Sequence, residues 1–234
     1  MPKRNLTIQI GILAACALAL GQLAVNFPYP GPLIRPLLPP RLRWPEAEIR
    51  AWVEAENFAP GFLEYFARDP ERQVPAGDNV VSPADGVITG ITQQDGITYF
   101  VVGLSFWDVH VVRTPVAGTV AAVESEGAMF DRYPTPQRMK EMIFLHGKDA
   151  PVQQIVTLDT NYGQVKVRLI TSYWASRLKV WVHPGQKLQK GERIGRILLG
   201  STVALELPGS VTGFAVRQGQ RVVAGASVIV GATQ

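Results

Sequence analysis

The stretch HPGQKLQKGERIGRI, His183 to Ile197, is answered near the end of the chain by RQGQRVVAGASVIVG, Arg217 to Gly231. In both, a Gly turn leads to an apolar residue, a second Gly follows a few positions on, and another apolar strand begins. Working outward from this echo, everything from Asn79 onward has the same texture. The runs VVSP, GVITGITQ, ITYFVVGL, DVHVVRTP, GTVAAVES, VQQIVTL, QVKVRLITSY, LKVWV, RIGRILLG, TVALELP and SVTGFAV are each of strand length and are separated by Gly, Pro and Asp-Gly turns. Asp95-Gly96 is a hairpin signal and Tyr162-Gly163 marks another turn, because these residues supply the left-handed backbone that tight antiparallel turns need. Many short strands with regular turns predict a mainly β fold, a barrel or sandwich, and exclude a parallel α/β sheet.

The paired hairpins resemble the hammerhead sandwiches of lipoyl and biotinyl carriers. A carrier role is excluded on chemistry, since neither copy places a Lys at an exposed hairpin tip between the expected neighbours. Composition narrows the choice further. A chain of 234 residues with 47% hydrophobic and 18% charged residues has room for one real core and a small appendage, and is neither disordered nor fibrous. The single cysteine, Cys16, excludes a disulfide framework or a thiolate zinc site, and the three histidines show no metal-ligand spacing. A net charge of +4 is too mild for a nucleic-acid partner but suits the anionic face of a membrane.

The N-terminal LTIQIGILAACALALGQLAV, Leu6 to Val25, carries no charge and is long enough to span a bilayer core of ~30 Å. A cleaved signal peptide and a lipoprotein signal at Leu13-Ala14-Ala15-Cys16 are the competing readings. The apolar run continues to Val25, past the point where a mature lipoprotein turns polar, so residues 1–26 read as an uncleaved membrane anchor. Residues 27–78 follow as a proline-rich connector and short amphipathic helices, with Ile49, Trp52 and Val53, then Phe62, Tyr65 and Phe66, at helical spacing. Arg35, Arg41 and Arg43 in the connector are placed to meet anionic lipid. Residues 79–234 form the β-rich domain.

Three stretches carry chemistry-bearing residues. RDPERQVPAGDNVVSPADG, Arg68 to Gly86, ends in an Asp85-Gly86 turn. SFWDVHVVRTPVAGTV, Ser105 to Val120, places His110 on a strand with Val109 and Val111 on the opposite face. LLGSTVALELP, Leu198 to Pro208, sets Gly200-Ser201-Thr202 between two apolar strands. Each alone reads as an ordinary turn or strand residue. In order, spacing and wording together they resemble the phosphatidylserine decarboxylase family of pyruvoyl-dependent enzymes, most closely the short archaeal and bacterial form, from Arg68 to Pro208. The stretch from Phe130 to Thr157 departs from that pattern, with RMKEMIFLHGK where the short form has another run. The site wording LGST belongs to the longer bacterial form. That form has a second histidine where this chain has Arg113, which leaves open the group that completes the base at Ser201.

The resemblance implies a chain that cuts itself between Gly200 and Ser201 into a large and a small piece and converts Ser201 into a pyruvoyl group. Ser201 Oγ attacks the Gly200 carbonyl, a base removes the Ser201 Cα proton, and elimination followed by hydrolysis leaves the ketone. Gly at 200 permits the strained approach that a Cβ would block. Asp85, alone or through His110, activates Ser201. The ketone then condenses with the substrate amine and takes up the electrons released with carbon dioxide, and His110, whose ordinary pKa lies near neutrality, protonates the carbanion. The implied substrate is phosphatidylserine or a related serine phospholipid, converted at the cell membrane to the ethanolamine lipid. Its phosphate is met by Arg113 and the basic connector, and assembly into a homo-oligomer is compatible with this reading. The competing reading is an uncleaved, non-catalytic membrane-tethered β-module, either an adaptor or a degenerate relative. An adaptor should carry a long helical hairpin between its two lipoyl-like halves, and the sequence has no such heptad stretch.

Overall fold

The computed structural model describes residues 2–128, 141, 147–171, 177–198 and 201–231. By compactness the chain divides into Met1–Tyr65 and Phe66–Gln234. The Arg68–Asp78 segment therefore packs as part of the β-rich unit, although its sequence reads as the end of the connector.

In the first unit, α1 (Pro2–Asn26) is a continuous apolar helix whose Asn5–Asn26 portion has a mean hydropathy of 2.0 and no burial, long and apolar enough to cross a membrane. The prolines then break the chain into a 3-10 turn at Arg35–Leu37, a single α-turn α2 (Pro40–Arg43), and α3 (Glu46–Glu54); α4 (Pro60–Ala67) closes the unit. Phe62 is fully buried, with the rings of Trp44, Trp52 and Phe58 at 5.7, 5.5 and 6.3 Å, so the helical aromatics are core and not a lipid-facing stripe. The connector arginines differ from the free surface cations expected of them. Arg35 donates to both oxygens of the buried Glu48 at 2.8 Å and to the Pro30 carbonyl, and Arg43 donates to the Leu38 and Pro36 carbonyls. Proline-interrupted backbone leaves carbonyls without helical donors, and these guanidinium groups satisfy them.

The second unit contains thirteen strands among the described residues: β1 (Val80–Val81), β2 (Gly86–Gln94), β3 (Ile97–Leu104), β4 (Val111–Arg113), β5 (Gly118–Glu126), β6 (Gln153–Thr160), β7 (Gly163–Thr171), β8 (Arg177–Val180), β9 (Lys187–Leu188), β10 (Arg193–Leu198), β11 (Ser201–Pro208), β12 (Arg221–Val222) and β13 (Val228–Val230). Eight form one curled antiparallel sheet in the order β12-β2-β3-β11-β7-β6-β5-β9; β4-β10-β8 and β1-β13 are small separate sheets. Asp95 and Gly96 have φ of 52° and 74°, the left-handed pair expected of the β2–β3 hairpin. SVTGFAV, predicted as a strand, contributes only an isolated bridge, Phe214 to Val230.

The order of the large sheet reads alike from both edges, and the sequence echo explains why. β12 and β9, the short strands of the two copies, are the two edges, and β2 and β5 lie next to them. The segment Ser82–Ile88 corresponds to Thr114–Val120. Val81 donates its amide to Pro115 O and Arg113 donates to Pro83 O, both at 2.9 Å; Gly219 donates to Ile88 O and Gly185 to Val120 O, both at 2.8 Å; Gly225 donates to Ser82 O at 2.8 Å and Gly191 to Thr114 O at 3.0 Å. Two interlocked halves thus repeat one hydrogen-bond scheme. The core lies on the concave side, where Val203, Leu205 and Leu207 of β11 meet Phe100, Val102, Val165, Val167 and Leu169. Each such fully buried side chain contributes about 1.5–3 kcal/mol. The other face is also buried, around Val101, Ile170 and Ala204 and an Arg168–Glu206 ion pair of 3.1 Å.

Candidate active site

The candidate residues gather at one end of the large sheet. β11 begins at Ser201, which lies between Leu104 of β3 and Thr171 of β7. Val87 and Thr202 both face Gly103, on opposite sides, so the Asp85-Gly86 turn stands two strands, about 10 Å, from the start of β11. Gly86 is required there: its φ is +150°, and any Cβ would strike the Gly103 carbonyl. Immediately after Leu104 the chain turns through Ser105–Asp108 and delivers His110, whose carbonyl accepts the Ile197 amide at 3.1 Å. Four residues reach at most about 14 Å, which brings the Ser201 backbone within that distance of Ile197. Gly200 and the side chain of Ser201 lie outside the described residues.

His110 is not a strand residue with flanking valines on another face. It precedes β4, and Val109, His110 and Val111 are all buried. The backbone turns there because Asp108 accepts at one oxygen from the amide and hydroxyl of Ser105 and pairs through the other with Arg221. Although burial works against its charge, these donors hold the Asp108 carboxyl below its usual range. The Asp108 carbonyl lies 3.0 Å from His110 Nδ1 and can only accept, so Nδ1 carries the proton and Nε2 is the lone-pair nitrogen. Nε2 is buried and has no hydrogen-bond partner among the described residues. Burial, with Arg68 and Arg196 nearby, pushes the imidazole down to about 4, against the opposing effect of Asp108. The Phe66 ring, 4.2 Å away centre to centre, forms part of this apolar wall. At neutral pH the group is a neutral base, which differs from the near-neutral proton donor expected of the sequence.

Asp85 is half-buried and is held by three contacts. Arg72 Nη2 donates to Oδ1 at 3.1 Å and Oδ2 at 3.0 Å, and the Ala224 amide donates to Oδ1 at 2.8 Å. None of these joins it directly to His110. Arg113 is 5% exposed and committed elsewhere: it donates to Asp69 Oδ1 at 2.6 Å, to Gly191 O at 3.0 Å and to Pro70 O at 3.4 Å.

Sequence reasoning missed the part played by Arg68–Arg72. Arg68 donates to the Trp107 carbonyl beside His110, Asp69 bridges Arg113 and Arg193, and Arg72 holds Asp85. One short segment therefore ties together the SPADG, DVHVVR and KGERIGR stretches. The alternation of charge in RDPER was the available signal, but nothing local reveals which distant partner each charge takes. No group of three or more His, Cys, Asp or Glu able to hold a metal occurs among the described residues.

The second unit is thus a β-rich domain of two interlocked hairpin halves that carries a buried imidazole and a clamped carboxylate toward the end of the sheet where β11 begins. The model of the phosphatidylserine decarboxylase family matches residues 60–230, and the chain belongs to that family. It is 35% identical over 189 residues to the phosphatidylserine decarboxylase proenzyme of Solibacter usitatus, covering 78% of this chain and 88% of that one. It is 37% identical over 179 residues to the proenzyme of Streptomyces coelicolor, covering 76% of each, and 32% identical over 178 residues to that of Carboxydothermus hydrogenoformans.

Proposed function

We propose that this chain is a self-processing decarboxylase of serine phospholipids, cut between Gly200 and Ser201, with a pyruvoyl group formed from Ser201 and phosphatidylserine as substrate. The observation that carries the reading is the convergence of the SPADG, DVHVVR and KGERIGR stretches on Arg68–Arg72, within the span matched by the family.

In the cutting step, Ser201 Oγ adds to the Gly200 carbonyl and the peptide becomes an ester. Removal of the Ser201 Cα proton expels the Gly200 carboxylate, and water replaces the nitrogen, which leaves as ammonia. His110 Nε2, neutral and without a hydrogen-bond partner among the described residues, suits the base in this sequence, and Asp85 supplies a fixed negative charge. The new group supplies a carbonyl able to bind an amine and accept the electron pair left by departing carbon dioxide. The site fits it: the pairing of Ser201 with Leu104 and Thr171 holds the new chain start in the sheet after scission, and the buried imidazole of the same unit supplies a proton acceptor. His110 delivers a proton to the product carbon only after it has first taken one up. Arg113 serves this site by fixing Asp69, since its guanidinium is already occupied. The apolar α1 helix keeps the domain at the cell membrane, where the lipid's amine and carboxylate stand at the surface.

Intact and denatured mass spectrometry tests the proposal. The expected result is two pieces divided after residue 200, the smaller blocked to Edman degradation and labelled on borohydride reduction with substrate. A single chain retaining an unmodified Ser201 returns the protein to the rival reading of a non-catalytic membrane-tethered module. Deleting residues 1–26 should leave scission intact while lowering turnover of long-chain lipid in bilayers more than of a short-chain soluble analogue.

A further inference from the structure

The two halves of the β unit differ most around Asp85. Its counterpart in the second half is the exposed Ala117, and the counterpart of the Ala224 amide belongs to Lys190. The shared scaffold therefore does not require a carboxylate here. Arg72 and Asp85 are nevertheless both largely enclosed, with side-chain exposures of 12% and 13%. A pair so enclosed is screened far less than a surface salt bridge, and three contacts from two donor nitrogens, Arg72 Nη2 and the Ala224 amide, fix the carboxylate's position.

Arg72 is itself held by its neighbours. Two residues earlier in the chain from Glu71, Asp69 is locked by Arg113 and Arg193, which fixes the path of the segment. From the other side comes the turn at Ala224 and Gly225. Gly225 has φ of +71°, and a Cβ there would lie 3.2 Å from Arg113 Cδ and 3.8 Å from Arg72 Cβ, so the turn rests against both arginines as its Ala224 amide reaches Asp85.

We propose that Arg72 is a positioning residue for self-cleavage: with the Ala224 amide, it holds the Asp85 carboxylate at the start of β2 in the orientation the cutting step uses. This rests on the reading that Asp85 takes part in that step. One consequence is that half of the clamp, Ala224, comes from the piece that becomes the small chain.

The test follows scission of the full-length chain after cell-free synthesis, by denaturing gel and mass spectrometry, for wild type, Asp85→Asn, Arg72→Gln, Arg72→Lys and Arg72→Ala. Arg72→Gln is expected to slow scission about 10- to 100-fold, less than the ~10²–10⁴ that a whole acid–base group supplies, and Arg72→Lys to recover most of it. Guanidinium ion at low, non-denaturing concentration should accelerate scission of Arg72→Ala and leave Asp85→Asn unmoved, a response that a general loss of stability does not give. Asp85→Asn cutting at the wild-type rate would sink the underlying reading. Asp85→Asn blocked while Arg72→Gln and Arg72→Ala cut at the wild-type rate overturns the role of Arg72 alone, as does slow Arg72→Ala that neither lysine nor guanidinium restores.

Discussion

The half built from Val80–Ile88 and Arg217–Val230 and the half built from Val112–Val120 and His183–Ile197 share their turns, their edge strands and their reciprocal hydrogen bonds, yet neither contains a site. The first contributes Asp85, where the second has Ala117. His110 leads into the second, where the first has the exposed Asp78. The repeat therefore supplies scaffold, and the residues proposed for the chemistry fall at positions where the copies disagree. Glycines at matching turns are needed by both halves for backbone reasons; an acid in one and an imidazole in the other are needed by neither.

The sharpest way to break this comparison is to move the acid. Asp85→Asn should lower self-cleavage by about 10³- to 10⁴-fold, the scale on which losing the carboxylate of a comparable serine-activating set acts. Ala117→Asp should leave scission unchanged and stability within about 0.5 kcal/mol, because an exposed substitution removes no partner. The double variant Asp85→Ala/Ala117→Asp should stay uncut, since the second half lacks the arginine clamp. Restored scission in that variant, followed by mass spectrometry, would show that the halves are chemically interchangeable.

His110 gives a smaller effect with a distinct pH signature. Its folded pKa of about 4 lies below the ordinary ~6.5, so the unfolded chain binds more protons between these values. Stability from this residue is therefore fully present above about pH 6.5 and is lost as pH falls toward 4, amounting to about 3 kcal/mol across the window. Chemical denaturation should show that slope in wild type and a flatter one in His110→Phe, while scission in wild type stays level from pH 8 to about 5.5 and falls below it. A scission rate that instead climbs as pH falls from 7 to 6 would identify the protonated imidazole as the working form.

Much of this was legible in the sequence because turns and alternation are local. The Gly spacing in HPGQKLQKGERIGRI and RQGQRVVAGASVIVG is set by positive-φ requirements at Gly185, Gly191, Gly219 and Gly225, which only glycine meets cheaply. The candidate residues came from the wording of three stretches. What escaped was everything that depends on distant pairing. Arg168, among the apolar residues of the QVKVRLITSY run, is fully buried against Glu206 and Gln153, partners that its own stretch does not reveal. Arg35 and Arg113 read as cations awaiting an anionic ligand, yet each has a carboxylate from elsewhere in its own unit. His110 reads as a residue titrating near neutrality, because the enclosure that shifts it is built by Phe66 and the surrounding strands. Sequence reveals which side chains can ionise; only the fold decides what each one faces.

The finest distinction between the halves lies in their matching left-handed glycines. Gly191 and Gly225 have φ of +83° and +71°, and alanine at either costs about 1–3 kcal/mol in backbone strain. The added contacts differ. At Gly191 a Cβ would come 2.5 Å from Val74 Cγ2, closer than real Cβ contacts allow, whereas at Gly225 the nearest atom, Arg113 Cδ, lies farther off at 3.2 Å. Gly191→Ala should therefore lower Tm more, with each kcal/mol worth roughly 2–4 °C in a chain of this size. Scission should rank the other way. Gly225→Ala displaces the turn whose Ala224 amide holds Asp85, and is expected to slow cutting several-fold, more than Gly191→Ala does at equal folded fraction. Opposite rankings in melting and in cutting would separate scaffold from site within one repeated turn; parallel rankings would mean that cutting reports stability alone.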